Sequence, residues 1–472
     1  MGIQNKKVLV IYDDSRKPSV KISAITGRKS YGNIIFKRQP LKVRTGIGYM
    51  KLDFVKAFVD SKDKEEISGY AADNVSVFKI YSDHESVDYE AIKVLLEKSL
   101  YIKENYIVKV KENTAAVMYP SVKDYIEADN EAKEEDFEVI ETDALISIAD
   151  ASNFRTFITS GFDARFFNTL KGDDYTVVKS SDNIEKLRKE YKYFTLLPAD
   201  MKPWFGTVYD YKEENGKAYY SIERYHMTDL AIRYVHGAID EAEFKDICRI
   251  LFHFIECRKI KEVSDEEYEA DSKALYLDKV DQRIELLKSL SGYEKIKAYI
   301  STGTDYGDID EIVARYKRIY NDIVQGRRFK KVLVVGHGDL CFSNILYNND
   351  VSLLRLIDPK GASCEEELYM NPYYDIAKLS HSICGGYDYF NSDQYEITVD
   401  PKMRLKLILD CDNDKFINIF YDYLEQSNID RRLIRVYEAS LFLSMLPLHI
   451  DREKKVMGFI LNAIRILDEL EE

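Results

Sequence analysis

Six cysteines are present without a single C-x-x-C pair, and seven histidines without an H-x-x-x-H. Neither a disulfide framework nor a zinc site can be read from such spacing, and unpaired cysteines suit a reducing compartment. No apolar run approaches the roughly 20 residues needed to cross a bilayer. The run VLVIY at 8–12 is too short for a signal peptide and ends on Asp13 and Asp14. Internal repeats and low-complexity tracts are missing as well. With a formal charge of −14, nucleic acid is excluded as the main partner. These absences predict a cytoplasmic protein with no membrane insertion.

What remains is 472 residues, 45% of them hydrophobic, enough for two or three domains. Residues 1–150 predict a small α/β domain, with strands at 7–12, 33–37, 76–81, 106–110 and 115–119 and a helix across 87–102. Asp13-Asp14 is out of register for the D-x-D of haloacid dehalogenases. No Gly-rich loop follows the first strand, as a sugar nucleotidyltransferase would require. Between Arg16 and Lys56 eleven Lys and Arg residues stand against one acidic residue, Asp53, a net +10 against −24 elsewhere. Two glycines flank Arg28 and Lys29 in TGRKSYGN, a composition suited to an anionic ligand, with a solvated basic face as the plainer alternative. The acidic run at 127–143 predicts a linker closing this domain.

The informative stretch is 332–361. Apolar strands are expected at 332–335 and 353–357, with turn chemistry at 347–350 between them. Polar groups stand where the strands end: His337, Asp339 and Asn344 after the first, Asp358 after the second. This is H-x-D-x-x-x-x-N followed by an Asp, the spacing used for phosphoryl transfer. A hydroxyl attacking ATP needs a carboxylate to orient it and take its proton, a role for Asp339. A triphosphate needs Mg²⁺, a hard cation for which Asn344 and Asp358 supply oxygen. His337 is expected to brace the loop. A lone D-x-x-x-x-N would read as a capped turn; the full set reads as a catalytic loop.

HGDLCFSNIL with LIDPKG, and NPYYDIAKL after them, resembles the aminoglycoside phosphotransferase and choline kinase-like superfamily across about 152–472. Pro359-Lys360 departs from the family's usual residues after the metal-binding Asp. The resemblance implies an α+β class and a bilobal protein-kinase-like fold: a small β-rich N-lobe at 151–230 and a helical C-lobe at 231–472. It also implies ATP and Mg²⁺ as cofactors, and adenine met by the hinge at Glu223, Arg224 and Tyr225. Lys179 on a strand and Glu190 on the following helix stand in the order that phosphate anchoring requires. A hairpin is expected from 154–162 and 164–170, with Ser160 and Gly161 nearest to a phosphate-covering loop. Asp240 and Glu243 form a capping box, and amphipathic helices are expected at 273–290, 309–324, 401–409, 415–426 and 431–448. Asp375 is expected to brace the catalytic loop.

The function expected is an ATP-dependent small-molecule kinase. One alternative is a bifunctional enzyme with an N-terminal nucleotide or nucleotide-sugar domain, as in surface-polysaccharide synthesis. Another is a non-catalytic nucleotide-binding regulator. Acidic residues (Glu365, Glu366, Glu367, Asp388, Asp393, Glu396) interleaved with tyrosines after Asp358 favour a neutral or cationic acceptor, an amino alcohol or a sugar.

Overall fold

The computed structural model describes residues 6–86, 88–131, 137–159, 168–172, 175–409, 411 and 413–472. The chain forms two compact units, Met1–Phe162 with His236–Ala238, and Asp163–Val235 with Ile239–Glu472.

The first unit is built on a six-stranded sheet. In spatial order its strands are Val55–Asp60, Lys7–Asp13, Val75–Tyr81, Asn113–Tyr119, Tyr106–Val110 and Glu138–Glu141. The first three are parallel, and Asn113–Tyr119 runs antiparallel to Val75–Tyr81. Lys7–Asp13 is apolar from Val8 to Tyr12 because both of its faces are covered. Val8, Val10 and Tyr12 pack with Tyr49, Ile92, Leu95 and Leu96 from the helices Leu41–Tyr49 and Tyr89–Lys98. Leu9 and Ile11 pack on the other side with Ile67, Val122 and Tyr125 from Lys64–Gly69 and Val122–Glu131.

Three expectations for this region are corrected. The span 33–37 is a strand only in part and does not join the six-stranded sheet: Tyr31–Asn33 is a 3₁₀ turn, and the short strand Ile35–Phe36 pairs with Gln39–Pro40. The acidic run is not a plain linker. It contributes to the helix Val122–Glu131 and to the strand Glu138–Glu141, parallel to Tyr106–Val110; Phe137 meets Tyr119 edge-on at 6.1 Å, an apolar anchor that outweighs the charges around it. Residues 154–159 do not begin a hairpin but belong to the helix Ala151–Thr159. Phe154 and Ile158, four residues apart, are both buried, and Phe157 stacks on Phe36 at 4.3 Å. That helix carries the first unit past residue 150. Ser160 and Gly161 lie outside the described residues.

The second unit opens with an antiparallel sheet in the order Asn168–Gly172, Thr176–Ser181, Lys217–Glu223, Val208–Glu214. Asn215 and Gly216, both at positive φ, turn the last hairpin, as a two-residue I′ connection requires. The helix Ile184–Leu196 packs on this sheet through Leu187, Tyr193 and Phe194. The Asp240 carboxylate accepts the Glu243 N–H at 2.9 Å and starts the helix Glu241–Cys257, a cap worth about 1 kcal/mol. The helices Ile309–Val324, Arg431–Met445 and Glu453–Glu471 enclose a second core. The span 401–409 is not helical: Leu405–Leu409 pairs with Tyr395–Val399. Leu405, Leu407 and Leu409 share one face of it, a period of two that wins over the helical reading.

The strands expected at 332–335 and 353–357 do not pair with each other. Val332–Val335 lies between Ile260–Glu262 and Tyr369–Met370. Leu353–Leu356 pairs with Ile345–Asn348, which itself pairs with Thr228–Asp229. The turn therefore falls later, at 349–352.

Candidate active site

The loop leaving Val332–Val335 is fixed before its side chains are placed. The N–H groups of His337 and Gly338 donate to the two carboxylate oxygens of Asp375, at 2.9 and 2.8 Å. Asp375 is fully buried and is held in turn by the Arg258 guanidinium at 3.2 Å. Gly338 stands at φ +80°, and a Cβ there would come within 2.6 Å of Lys360. The unusual Lys360 thus packs its stem where position 338 has no side chain, and its N–H donates to the His337 carbonyl at 2.9 Å.

His337 is enclosed and braces the loop. Its Nε2 bonds the Ile357 carbonyl at 2.9 Å, and its Nδ1 accepts the Asp339 N–H at 3.2 Å. Burial lowers its pKa against the nearby carboxylates of Asp375 and Asp339. A neutral imidazole with Nε2–H satisfies both bonds.

Asn344 and Asp358 flank the hairpin of Ile345–Asn348 and Leu353–Leu356, so pairing brings them to one end; the Ile357 N–H donates to the Asn344 carbonyl at 3.0 Å. The Asn344 amide donates to the Asp339 carbonyl at 2.8 Å and to Asp339 Oδ2 at 3.1 Å. Its own amide oxygen is the atom left for a cation. Asp358 stands at φ +55°, with its side chain 52% exposed.

Lys179 joins this end from the sheet. Its ammonium bonds both Glu190, on Ile184–Leu196, and Asp358 Oδ1, the latter at 2.7 Å. Burial works against its charge, and the carboxylates of Asp358 and Glu190 overcome that, so the ammonium stays above its ordinary range. Tyr220 also donates to Glu190. The helix is tied to the loops at two points: Tyr193 donates to the Gly336 carbonyl at 3.0 Å, and the Lys189 carbonyl accepts the Ala362 N–H at 2.9 Å.

Other expected positions fare differently. The Glu223 N–H donates to Thr207 and the Arg224 N–H to Tyr175, so neither amide is presented to an adenine edge. Tyr225 gives its hydroxyl to Glu223 at 2.8 Å. After Asp358, Glu365 pairs with Lys259, Asp388 is buried, and Tyr374, Tyr389, Phe390 and Tyr395 are core. Those aromatic residues and Asp388 are therefore structural, whereas Glu365, Glu366, Glu367, Asp393 and Glu396 are exposed. In the first unit, Arg16 bonds Asp83, Lys42 pairs with Asp60 and Lys56 with Asp73. The TGRKSYGN loop is folded onto Asp14, which accepts from Ser30 and from the Gly32 N–H.

Two contributors escaped the sequence reading. Arg258 reads only as a helix-ending cation, although its guanidinium reaches Asp375. Lys378, on the helix Tyr374–Ile383, places its ammonium 2.8 Å from Asp339 Oδ1. The available signal was its spacing, three residues after Asp375 and hence on the same helical face.

No protein-family model and no curated protein matches the sequence. Among solved structures it is similar to a thermostable mutant of aminoglycoside phosphotransferase APH(4)-Ia in ternary complex with AMP-PNP and hygromycin B. The identity is 11%, over 66% of this chain and 97% of that one, with a TM-score of 0.37. It is also similar to the GDP complex of wild-type aminoglycoside 2'-phosphotransferase-IIIa, at 15% identity over 68% and 97% of the two chains and a TM-score of 0.40. At such identities and TM-scores, no ligand or substrate of those proteins transfers to this chain.

Proposed function

We propose that the second unit transfers the γ-phosphoryl group of ATP to a hydroxyl of a small molecule. The observation that carries this reading is the bridge at Lys179, whose ammonium joins Glu190 on a helix to Asp358 on a loop 179 residues further along the chain. An exposed surface pair contributes little and does not require burial; this ammonium is 7% exposed. Lys179 is placed to hold the α- and β-phosphates, with Glu190 fixing its direction. Asp339 receives the acceptor's proton as the acceptor oxygen bonds to the γ-phosphorus and the bridging bond to ADP breaks.

Asn344 and Asp358 fit a hard divalent cation, because they offer one amide and one carboxylate oxygen and leave the remaining positions to phosphate and water. Bound there, Mg²⁺ would offset phosphate charge. Alignment and electrostatics supply most of the catalysis in such a site. The test is ADP release from Mg²⁺–ATP over a panel of amino alcohols, sugars, aminoglycosides and polyols. No acceptor-dependent release from any of them would defeat the assignment.

A second ligand in the first unit is favoured by its topology. In strand order the chain passes from Lys7–Asp13 to Val55–Asp60 on one flank and from Val75–Tyr81 to the strands on the other, the kind of reversal outside whose carboxyl ends open α/β sheets bind ligands. Arg16 and Asp83 stand at those ends. Calorimetry of the full chain with nucleotides and nucleotide-sugars tests it, using Asp358→Ala to separate this heat from that of the kinase site. If all nucleotide heat vanishes in that variant, the second site is ruled out.

A further inference from the structure

Lys378 is the charged group nearest to the expected base, and the reaction as read from the motif gives it no role. Its helix reaches the catalytic loop twice. Asp375 grips the loop's backbone at His337 and Gly338. One turn later Lys378 grips the loop's side chain, 2.8 Å from Asp339 Oδ1. The other oxygen, Oδ2, is held by the Asn344 amide at 3.1 Å. Both ends of the carboxylate are thereby oriented.

The ammonium is 12% exposed and Asp339 37% exposed, which makes this pair unlike the solvated ion pairs on the surface. The surroundings select a cation. His381, one turn further along, is fully buried with neither ring nitrogen hydrogen-bonded, and burial together with the charge of Lys378 keeps it neutral. Burial opposes the charge on Lys378 too, but Asp339, with Tyr374 and Cys341 behind it, keeps the ammonium above its ordinary range.

Resting on the kinase reading above, we propose that Lys378 is a positioning residue of the transfer, holding the Asp339 carboxylate in the orientation that takes the acceptor's proton. It makes Asp339 a director of the hydroxyl more than a strong base, which suits a loose phosphoryl-transfer transition state.

The experiment uses the full chain, the acceptor identified by ADP release, and three variants. Lys378→Met removes the charge at similar length, Lys378→Gln keeps a hydrogen bond without charge, and Lys378→Arg keeps both. Removing the charge should lower kcat by about 100-fold while ATP affinity, measured by calorimetry, stays within about threefold. Lys378→Arg should recover at least about a tenth of wild-type turnover. A kcat within about threefold of wild type in Lys378→Met, no recovery in Lys378→Arg, or a loss confined to ATP affinity would overturn the proposal. Failure of both Met and Gln variants to fold, by circular dichroism, would overturn it by making the residue structural. A wild type that binds ATP but phosphorylates nothing would instead sink the kinase reading, and this proposal with it.

Discussion

Asp339 and Asp358 are both carboxylates in loops that leave short strands of the second unit, yet their surroundings assign them different work. Asp339 is bonded by Lys378 and Asn344, whereas Asp358 is bonded by Lys179. Asp339→Asn should therefore lower kcat by about a thousandfold and leave Mg²⁺–ATP affinity nearly intact, because the base does not hold the nucleotide. Asp358→Ala should lower turnover as far and weaken Mg²⁺–ATP binding as well, by at least about tenfold. Steady-state ADP release and calorimetry separate the two. Equal nucleotide affinity in both variants would mean that Asp358 is not a metal ligand. At this scale the sequence was most legible, since His337, Asp339, Asn344 and Asp358 can be read from spacing alone. Lys378 was less legible: its partner lies 39 positions away, and only the three-residue spacing from Asp375 on one helix places it toward the loop.

Among the elements, the helix Ile184–Leu196 ties the anchor to the loops. The loop after Asp358 docks on it at Gly361, which stands at φ +84° with space for no Cβ: one would lie 3.0 Å from the Lys189 carbonyl carbon and 3.1 Å from the Glu190 nitrogen. Gly361→Ala should displace the loop from the helix, costing about 1–3 kcal/mol of stability and weakening Mg²⁺–ATP binding. Gly216→Ala is the control. Its φ is +75°, but open space surrounds it, so it should cost about 1 kcal/mol at most and leave nucleotide affinity unchanged. Equal affinity in the two variants would show that the docking does not serve the site. Elements were less legible than residues. The span 401–409 carries leucines at a period of two within a stretch short enough to pass for a helix turn. The helix at 151–159 was mistaken for a strand because its aromatic residues suit either state.

The two units have separate cores, so their unfolding should be separable. In the first, Glu85 is buried, its carboxylate accepts a hydrogen bond from the Thr45 hydroxyl, and burial raises its pKa to about 8. The folded unit then keeps the proton up to about pH 8, while the unfolded chain releases it in the ordinary carboxylate range. Stability accordingly falls as pH rises across that interval and levels off above it, by up to about 1.4 kcal/mol per pH unit. Differential scanning calorimetry should show Glu85→Gln raising one transition relative to wild type at pH 9, with little effect at pH 4 and none on the other transition. A uniform shift of all transitions at both pH values would count against the burial argument.

The sequence by itself determined the residue types and spacing from His337 to Asn344 with Asp358, the strand lysine ahead of its helix glutamate, and the continuous apolar run Val8–Tyr12. Those are local properties, set by spacing along the backbone and by side-chain chemistry. Only the tertiary structure decided which strands pair, that Asn344 and Asp358 share one hairpin end, and that Lys179 closes on Asp358. It also decided that Lys378 stands against Asp339. Each of these is a contact between distant positions. Burial and pairing across the fold determine such contacts, and neither leaves a mark in the neighbouring residues of the sequence.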